Sequence, residues 1–61
     1  MNAYMENSIK ACIGYLKSFE QGMKVAAMRD DGLISKDEAK LLKRLNKLTD
    51  KYIDELEDMV E

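Results

Sequence analysis

Apolar residues in the first half of the chain follow a helical spacing. Seven of them recur in alternating steps of four and three: Met5, Ile9, Cys12, Leu16, Phe19, Met23 and Ala26. This is the a/d pattern of a heptad repeat, which places its members on one narrow stripe of a helix. Ile13 and Ala27 lie beside that stripe and widen it. A strand would require apolar and polar residues to alternate, and the segment shows no such alternation.

The second half of the chain predicts a helix with a broader apolar surface. Its apolar residues are Leu41, Leu42, Leu45, Leu48, Tyr52, Ile53, Leu56, Met59 and Val60. At roughly 100° per residue they cover a wide arc of the helix, and Thr49 falls inside it. One neighbouring helix covers only part of such an arc, so we expect apolar surface to remain after the two segments pack together.

Turn and capping signals separate the two segments. The strongest break is the Asp-Asp-Gly tripeptide at 30–32, where Gly32 suits the left-handed position that closes a helix. Leu33 is then expected to pack over Met28, as in a Schellman ending. Ser35 and Glu38 have the spacing of a capping box, in which each side chain accepts a hydrogen bond from the other residue's backbone amide.

These signals together predict an all-α fold with a single domain covering residues 1–61. The first helix is expected at about 3–31, a turn at 32–34 and the second helix at about 35–60. A link this short makes the helices antiparallel neighbours, so the fold is a long helical hairpin.

The apolar surplus predicts a partner for the hairpin. A coiled-coil-like four-helix bundle formed by two copies fits best, because two-fold dimers are the commonest oligomers. The alternative is a larger, different protein that covers the same surface. The residues expected at the oligomer interface are Met5, Ile9, Cys12, Leu16, Phe19, Leu41, Leu45, Leu48, Tyr52, Ile53, Leu56 and Met59.

The amino-acid composition excludes several kinds of functional site. The chain has 61 residues, a net charge of -2, one cysteine and no histidine. A disulfide framework and a Cys/His zinc site are therefore excluded, and histidine acid–base catalysis is unavailable. We expect no catalytic residue, no metal and no cofactor, and we interpret Cys12 as a packed, inert thiol. Because the chain shows neither a signal peptide nor an apolar run long enough to span a bilayer, we expect no membrane association and a cytoplasmic location.

Charge is unevenly distributed along the second helix. Residues 35–51 hold six basic side chains, whereas residues 52–61 hold five acidic ones and no basic one. An antiparallel copy of this helix would set its basic half against the acidic half, and we hypothesise that arrangement for the dimer. The simpler alternative is a mixed-charge face that contacts only water.

A basic stripe suggests a second class of partner. Five lysines share one side of the second helix: Lys36, Lys40, Lys43, Lys47 and Lys51. RNA or another polyanion contacts such a stripe through its phosphates. The acidic net charge and the lack of interleaved aromatic residues favour a solvated stripe instead.

Three motifs in the second half resemble the C-terminal helical hairpin of ribosome recycling factor. They are Asp-Gly-Leu-Ile-Ser at 31–35, Asp-Glu-Ala-Lys at 37–40 and Lys-Leu-Thr-Asp-Lys-Tyr-Ile at 47–53. The resemblance covers about half of the chain and implies a helical-bundle fold that binds ribosomes. The family's arginine-rich helix has no counterpart, since residues 3–27 contain three lysines and no arginine. We therefore carry over neither its ribosome-splitting activity nor any functional residue.

The sequence thus predicts a small non-enzymatic interaction protein, acting as an adaptor, inhibitor or regulator through a self-associating hairpin. A phage or mobile-element origin suits a protein of this size. The alternatives are an RNA-binding regulator that uses the basic stripe and a ribosome-associated factor mimic.

Overall fold

The computed structural model describes residues 1–60 and contains two antiparallel α-helices. Helix α1 covers Ala3–Ala27 and helix α2 covers Lys36–Val60, with 25 residues each. No strand occurs in residues 1–60, so the predicted all-α hairpin is confirmed. The hairpin is a thin rod with principal extents of 46 × 17 × 10 Å.

Helix α1 begins with a side-chain cap. The Asn2 carboxamide oxygen accepts a hydrogen bond of 2.9 Å from the backbone amide of Met5. Asparagine is among the strongest N-cap residues because it satisfies one of the free amides of the first turn. Glu6 places a negative charge near this positive helix end and forms an ion pair with Lys10 at 3.1 Å.

The first helix ends at Ala27, four residues before the predicted end at residue 31. The amides of Met28 and Arg29 donate to carbonyls three residues back, at 3.2 Å each, so the last turn tightens toward a 3₁₀ geometry. Gly32 has a φ of 73°, and its amide donates to the Met28 carbonyl at 2.9 Å. The predicted left-handed glycine is therefore present, but it closes a separate turn after the helix.

The expected packing of Leu33 over Met28 does not bury Leu33, which is 70% exposed. The Asp31 carboxylate accepts a hydrogen bond of 2.9 Å from the Leu33 amide and fixes the chain in an Asx turn. Ile34 is the half-buried residue of the turn, and it lines the same groove as Ala39. These two residues flank the start of α2 as a hydrophobic staple does.

The predicted capping box at the start of α2 is confirmed. The Glu38 amide donates to the Ser35 hydroxyl at 3.1 Å, and the Ser35 amide donates to the Glu38 carboxylate at 3.0 Å. The two bonds satisfy backbone amides that have no partner within the helix. Because the box fixes where α2 begins, it also fixes the register in which α2 returns along α1.

The core of the hairpin is small. Ile13 on α1 packs with Ile53 and Leu56 on α2, and these are the only buried side chains in residues 1–60. Ile53 is the most buried of them, at 4% exposure. Three half-buried side chains pack against the cluster: Ile9, Cys12 and Leu16.

The stripe of α1 that faces α2 is turned away from the predicted heptad stripe. Ile13, expected only at its edge, is buried, whereas Met5, Phe19 and Ala26 of the heptad remain exposed. The reason is the position of the core, since Ile53 and Leu56 meet α1 at Ile13. One edge of the apolar surface of α1 is thus covered and the other is open.

We predict that Ser35→Ala destabilises the hairpin by about 1 kcal/mol, the usual cost of losing an N-cap side chain. The variant leaves the Glu38 amide without its partner. Chemical denaturation followed by circular dichroism measures the change. Ser18→Ala, an exposed change within α1, is the matched control, and a Ser35→Ala variant as stable as the wild type would contradict the role of the cap.

Candidate interaction face

Helix α2 carries a second apolar stripe beside the one that contacts α1. Leu41, Leu48, Tyr52 and Met59 are all more than half exposed. Their spacing of seven, four and seven residues places them on one line along the helix. Large apolar side chains in a row, rather than scattered singly, mark an interaction surface.

Helix α1 carries a matching stripe. Met5, Cys12, Phe19 and Ala26 recur every seven residues. Cys12 is half-buried against the core, and the other three are exposed. Tyr15, also exposed, lies next to this stripe on the side away from α2.

The two exposed stripes lie on the same side of the hairpin. Each helix has two flanks, one on either side of the residues that contact the other helix. In an antiparallel pair, the flanks that lie in the same rotational direction from the contact residues are on the same side of the hairpin. One such pair of flanks forms a groove, lined by Gln21 and Lys24 of α1 and by Ala39 and Asn46 of α2. The exposed stripes lie on the opposite flank of each helix and therefore share the other side.

We call this side the apolar face. Its members are Met5, Cys12, Tyr15, Phe19, Ala26, Leu41, Leu48, Tyr52 and Met59. Near its end at the start of α1, the surface forms a shallow apolar depression lined in part by Tyr4 and Ile9.

The residues predicted for the oligomer interface divide into two groups. One group is used within the hairpin, with Ile53 and Leu56 in the core. Half-buried residues of the same group are Ile9, Cys12, Leu16 and Leu45. The other group is exposed on the apolar face: Met5, Phe19, Leu41, Leu48, Tyr52 and Met59. The interface itself stays a prediction.

Charged residues border the apolar face on α2 only. The five charged side chains of α1 all lie on the flank toward the groove: Glu6, Lys10, Lys17, Glu20 and Lys24. On α2, by contrast, Asp37, Arg44 and Glu55 are exposed along the outer edge of the apolar face. The border of α1 is therefore neutral and that of α2 is charged.

Polar residues join the helices at the middle of the hairpin. The Thr49 hydroxyl donates a hydrogen bond to the Glu20 carboxylate. Hydrogen bonds from Thr49 and Asp50 hold the pKa of the Glu20 carboxyl below its ordinary value, and the charge of Lys17 acts in the same direction. The hydrogen bond with Glu20 raises the pKa of Asp50.

This polar contact was not predicted from the sequence. The sequence places Thr49 within the apolar arc of the second helix, but nothing in it pairs Thr49 with Glu20. The available signal was Glu20 itself, a carboxylate four residues after Leu16 on the flank that faces α2. Its partner depends on the register between the helices.

The lysines of the predicted basic stripe are all exposed along the outer side of α2. Within residues 1–60, the one ion pair joins Lys10 and Glu6 on α1, so none of these lysines is paired there. Asp54 and Asp58 continue the same side of the helix toward its end.

Metal sites, membrane spans and similarity to known proteins were each considered. In residues 1–60, no three cysteine or acidic side chains are grouped closely enough to hold a metal ion. Neither helix of that part of the chain has the length and hydrophobicity that crossing a bilayer requires. No family model matches the chain, and no curated protein or solved structure matches it either.

We predict that the Glu20–Asp50 contact stabilises the hairpin most at acidic pH, between the lowered pKa of Glu20 and the raised pKa of Asp50. The contribution of Glu20 is lost as the pH falls through its lowered folded pKa. The contribution of Asp50 is lost as the pH rises through its raised folded pKa. The thermal unfolding midpoint measured against pH tests this.

Asp50→Asn should remove the decline on the alkaline side, because its amide donates to Glu20 at every pH. Asp54→Asn removes an exposed carboxylate from the same helix and should keep the wild-type profile. Superimposable profiles for the wild type and Asp50→Asn would contradict the assigned role of the Glu20–Asp50 contact.

Proposed function

We propose that this chain is a small non-enzymatic interaction protein that self-associates through the apolar face into a dimer with a four-helix core. The observation that carries the proposal is the placement of two exposed apolar stripes, one from each helix, on the same side of the hairpin. A surface of that kind is the inner face of half a helix bundle.

The energetics favour a covered face. Leaving a large aliphatic side chain in water forfeits roughly 1.5–3 kcal/mol, and Leu41, Leu48 and Met59 are all more than half exposed. Among residues 1–60, the core that holds the hairpin together has only three buried side chains. Domains of this size have little stability to spare, so burial of the apolar face in a dimer supplies a large part of the total.

A second copy suits this face because a two-fold interface uses the same patch on both subunits. An apolar patch meeting itself is complementary without any further adaptation. A different protein with an apolar helical surface is the competing occupant. In either case the chain acts by binding macromolecules, and we propose an adaptor, inhibitor or regulator in the cytoplasm.

We predict that Leu48→Gln weakens self-association by at least about 100-fold, since each dimer loses two buried leucines. Sedimentation velocity over a dilution series measures the dissociation constant. Leu48 makes no contribution to the core, so circular dichroism of the concentrated variant should still show a helical protein.

Val25→Gln is the matched control. Val25 and Leu48 are both 62% exposed, but Val25 lies on the outer side of α1, away from the apolar face. The control should self-associate like the wild type. Equal effects of the two changes, or a wild-type chain that sediments as a monomer, would contradict the proposal.

A second candidate function is RNA binding through the basic stripe, favoured by the exposure of its five lysines and their lack of ion pairs within residues 1–60. Binding of this kind weakens steeply with salt. Salt-dependent RNA binding that is lost when Lys36, Lys40, Lys43, Lys47 and Lys51 are changed to Gln would support it. Co-sedimentation with ribosomes would favour the ribosome-associated alternative instead.

A further inference from the structure

We propose that the two copies pack with α2 against α2 in antiparallel orientation, about a two-fold axis that passes at the level of Phe19 and Asp50. This inference rests on the proposed self-association and specifies its geometry. Three features support it: the symmetry of the α2 stripe, the matching positions of Cys12, Phe19 and Ala26 on α1, and the charges beside the apolar face.

The exposed stripe of α2 is symmetric about Asp50. Leu41 and Met59 are each nine residues from Asp50, and Leu48 and Tyr52 are each two residues from it. An antiparallel copy centred there places Leu48 against Tyr52 and Leu41 against Met59. Each apolar side chain of the stripe then meets an apolar side chain of the other copy.

Three members of the α1 stripe are symmetric about Phe19. Cys12 and Ala26 are each seven residues from Phe19, so an antiparallel copy of α1 centred there places Cys12 against Ala26 and Phe19 against its own counterpart. Met5, the fourth member, is 14 residues from Phe19 and has no counterpart within α1. Two facing phenylalanine rings at an axis form an aromatic pair, and the small residues flank it.

The hairpin register brings these two centres to one level. Glu20 meets Thr49 across the hairpin, and in antiparallel helices one step back on α1 corresponds to one step forward on α2. Phe19 is therefore level with Asp50. A single axis perpendicular to the helices therefore serves the α2 stripe and the three residues of the α1 stripe from Cys12 to Ala26.

Charge distinguishes this arrangement from the other two-fold packing. If the axis ran parallel to the helices, α2 would meet α1 of the other copy, and its charged border would face a neutral one. With α2 against α2, Arg44 instead approaches Glu55 of the partner subunit, and the contact occurs twice. Lys51 lies beside the axis near its own counterpart, where solvent screens their repulsion.

The first test is disulfide cross-linking. The variant Phe19→Cys, made with Cys12→Ser so that one thiol remains, should form a disulfide-linked dimer under mild oxidation on a non-reducing gel. Val25→Cys in the same background is the control and should stay uncrosslinked, because it lies away from the apolar face.

The outcomes separate the two proposals. A Phe19→Cys variant that sediments as a dimer but forms no disulfide with itself overturns the α2-against-α2 arrangement and leaves self-association standing. Such a protein should cross-link instead when it is mixed with Tyr52→Cys, also made with Cys12→Ser. A wild-type chain that sediments as a monomer overturns both proposals.

A charge test keeps the geometry falsifiable if the loss of Phe19 prevents dimerisation. Arg44→Glu should weaken the dimer about tenfold at low salt, and adding Glu55→Arg should restore most of the affinity. Lys43→Glu makes the same charge change one residue earlier, on the outer side of α2, and should have a smaller effect. Equal weakening by Arg44→Glu and Lys43→Glu, or no recovery with Glu55→Arg, would contradict the arrangement.

Discussion

Two helices packed side by side contact each other along only one line, and this limits how much apolar surface the hairpin can bury. Each helix has apolar residues over an arc wider than that line, yet within residues 1–60 only Ile13, Ile53 and Leu56 become buried where the helices meet. The remaining apolar arc stays uncovered in this part of the chain, because residues 1–60 form no third element that packs over it. Its distribution on the surface therefore follows from the rotation of each helix around its own axis.

The turn and the core decide that rotation and register. The capping box fixes the first residue of α2 and Gly32 reverses the chain, while the Thr49–Glu20 hydrogen bond joins turns of the two helices that are level. The contact of Ile13 with Ile53 and Leu56 sets the rotation of each helix. With that rotation, both open flanks lie on one side of the hairpin.

Local signals made the elements predictable, whereas their mutual orientation was harder to read. The capping box and the glycine turn indicated the start of α2 and the antiparallel topology, because each depends on neighbours within a few residues. The end of α1 was placed four residues late, since periodicity cannot detect the 3₁₀ bonds at Met28 and Arg29. The heptad pattern identified an apolar stripe on α1 but could not say that Ile13 would be taken by the core and Phe19 left open.

The concentration dependence of thermal unfolding tests the central claim most directly, because only an assembly makes the unfolding midpoint depend on protein concentration. If the apolar face is covered by a second copy, the midpoint of the wild-type chain should rise steadily from micromolar to millimolar protein, with loss of helix and loss of the dimer occurring together. A midpoint that stays constant over that range, for a chain that remains fully helical at the lowest concentration, would show that the hairpin is stable with its apolar face in water.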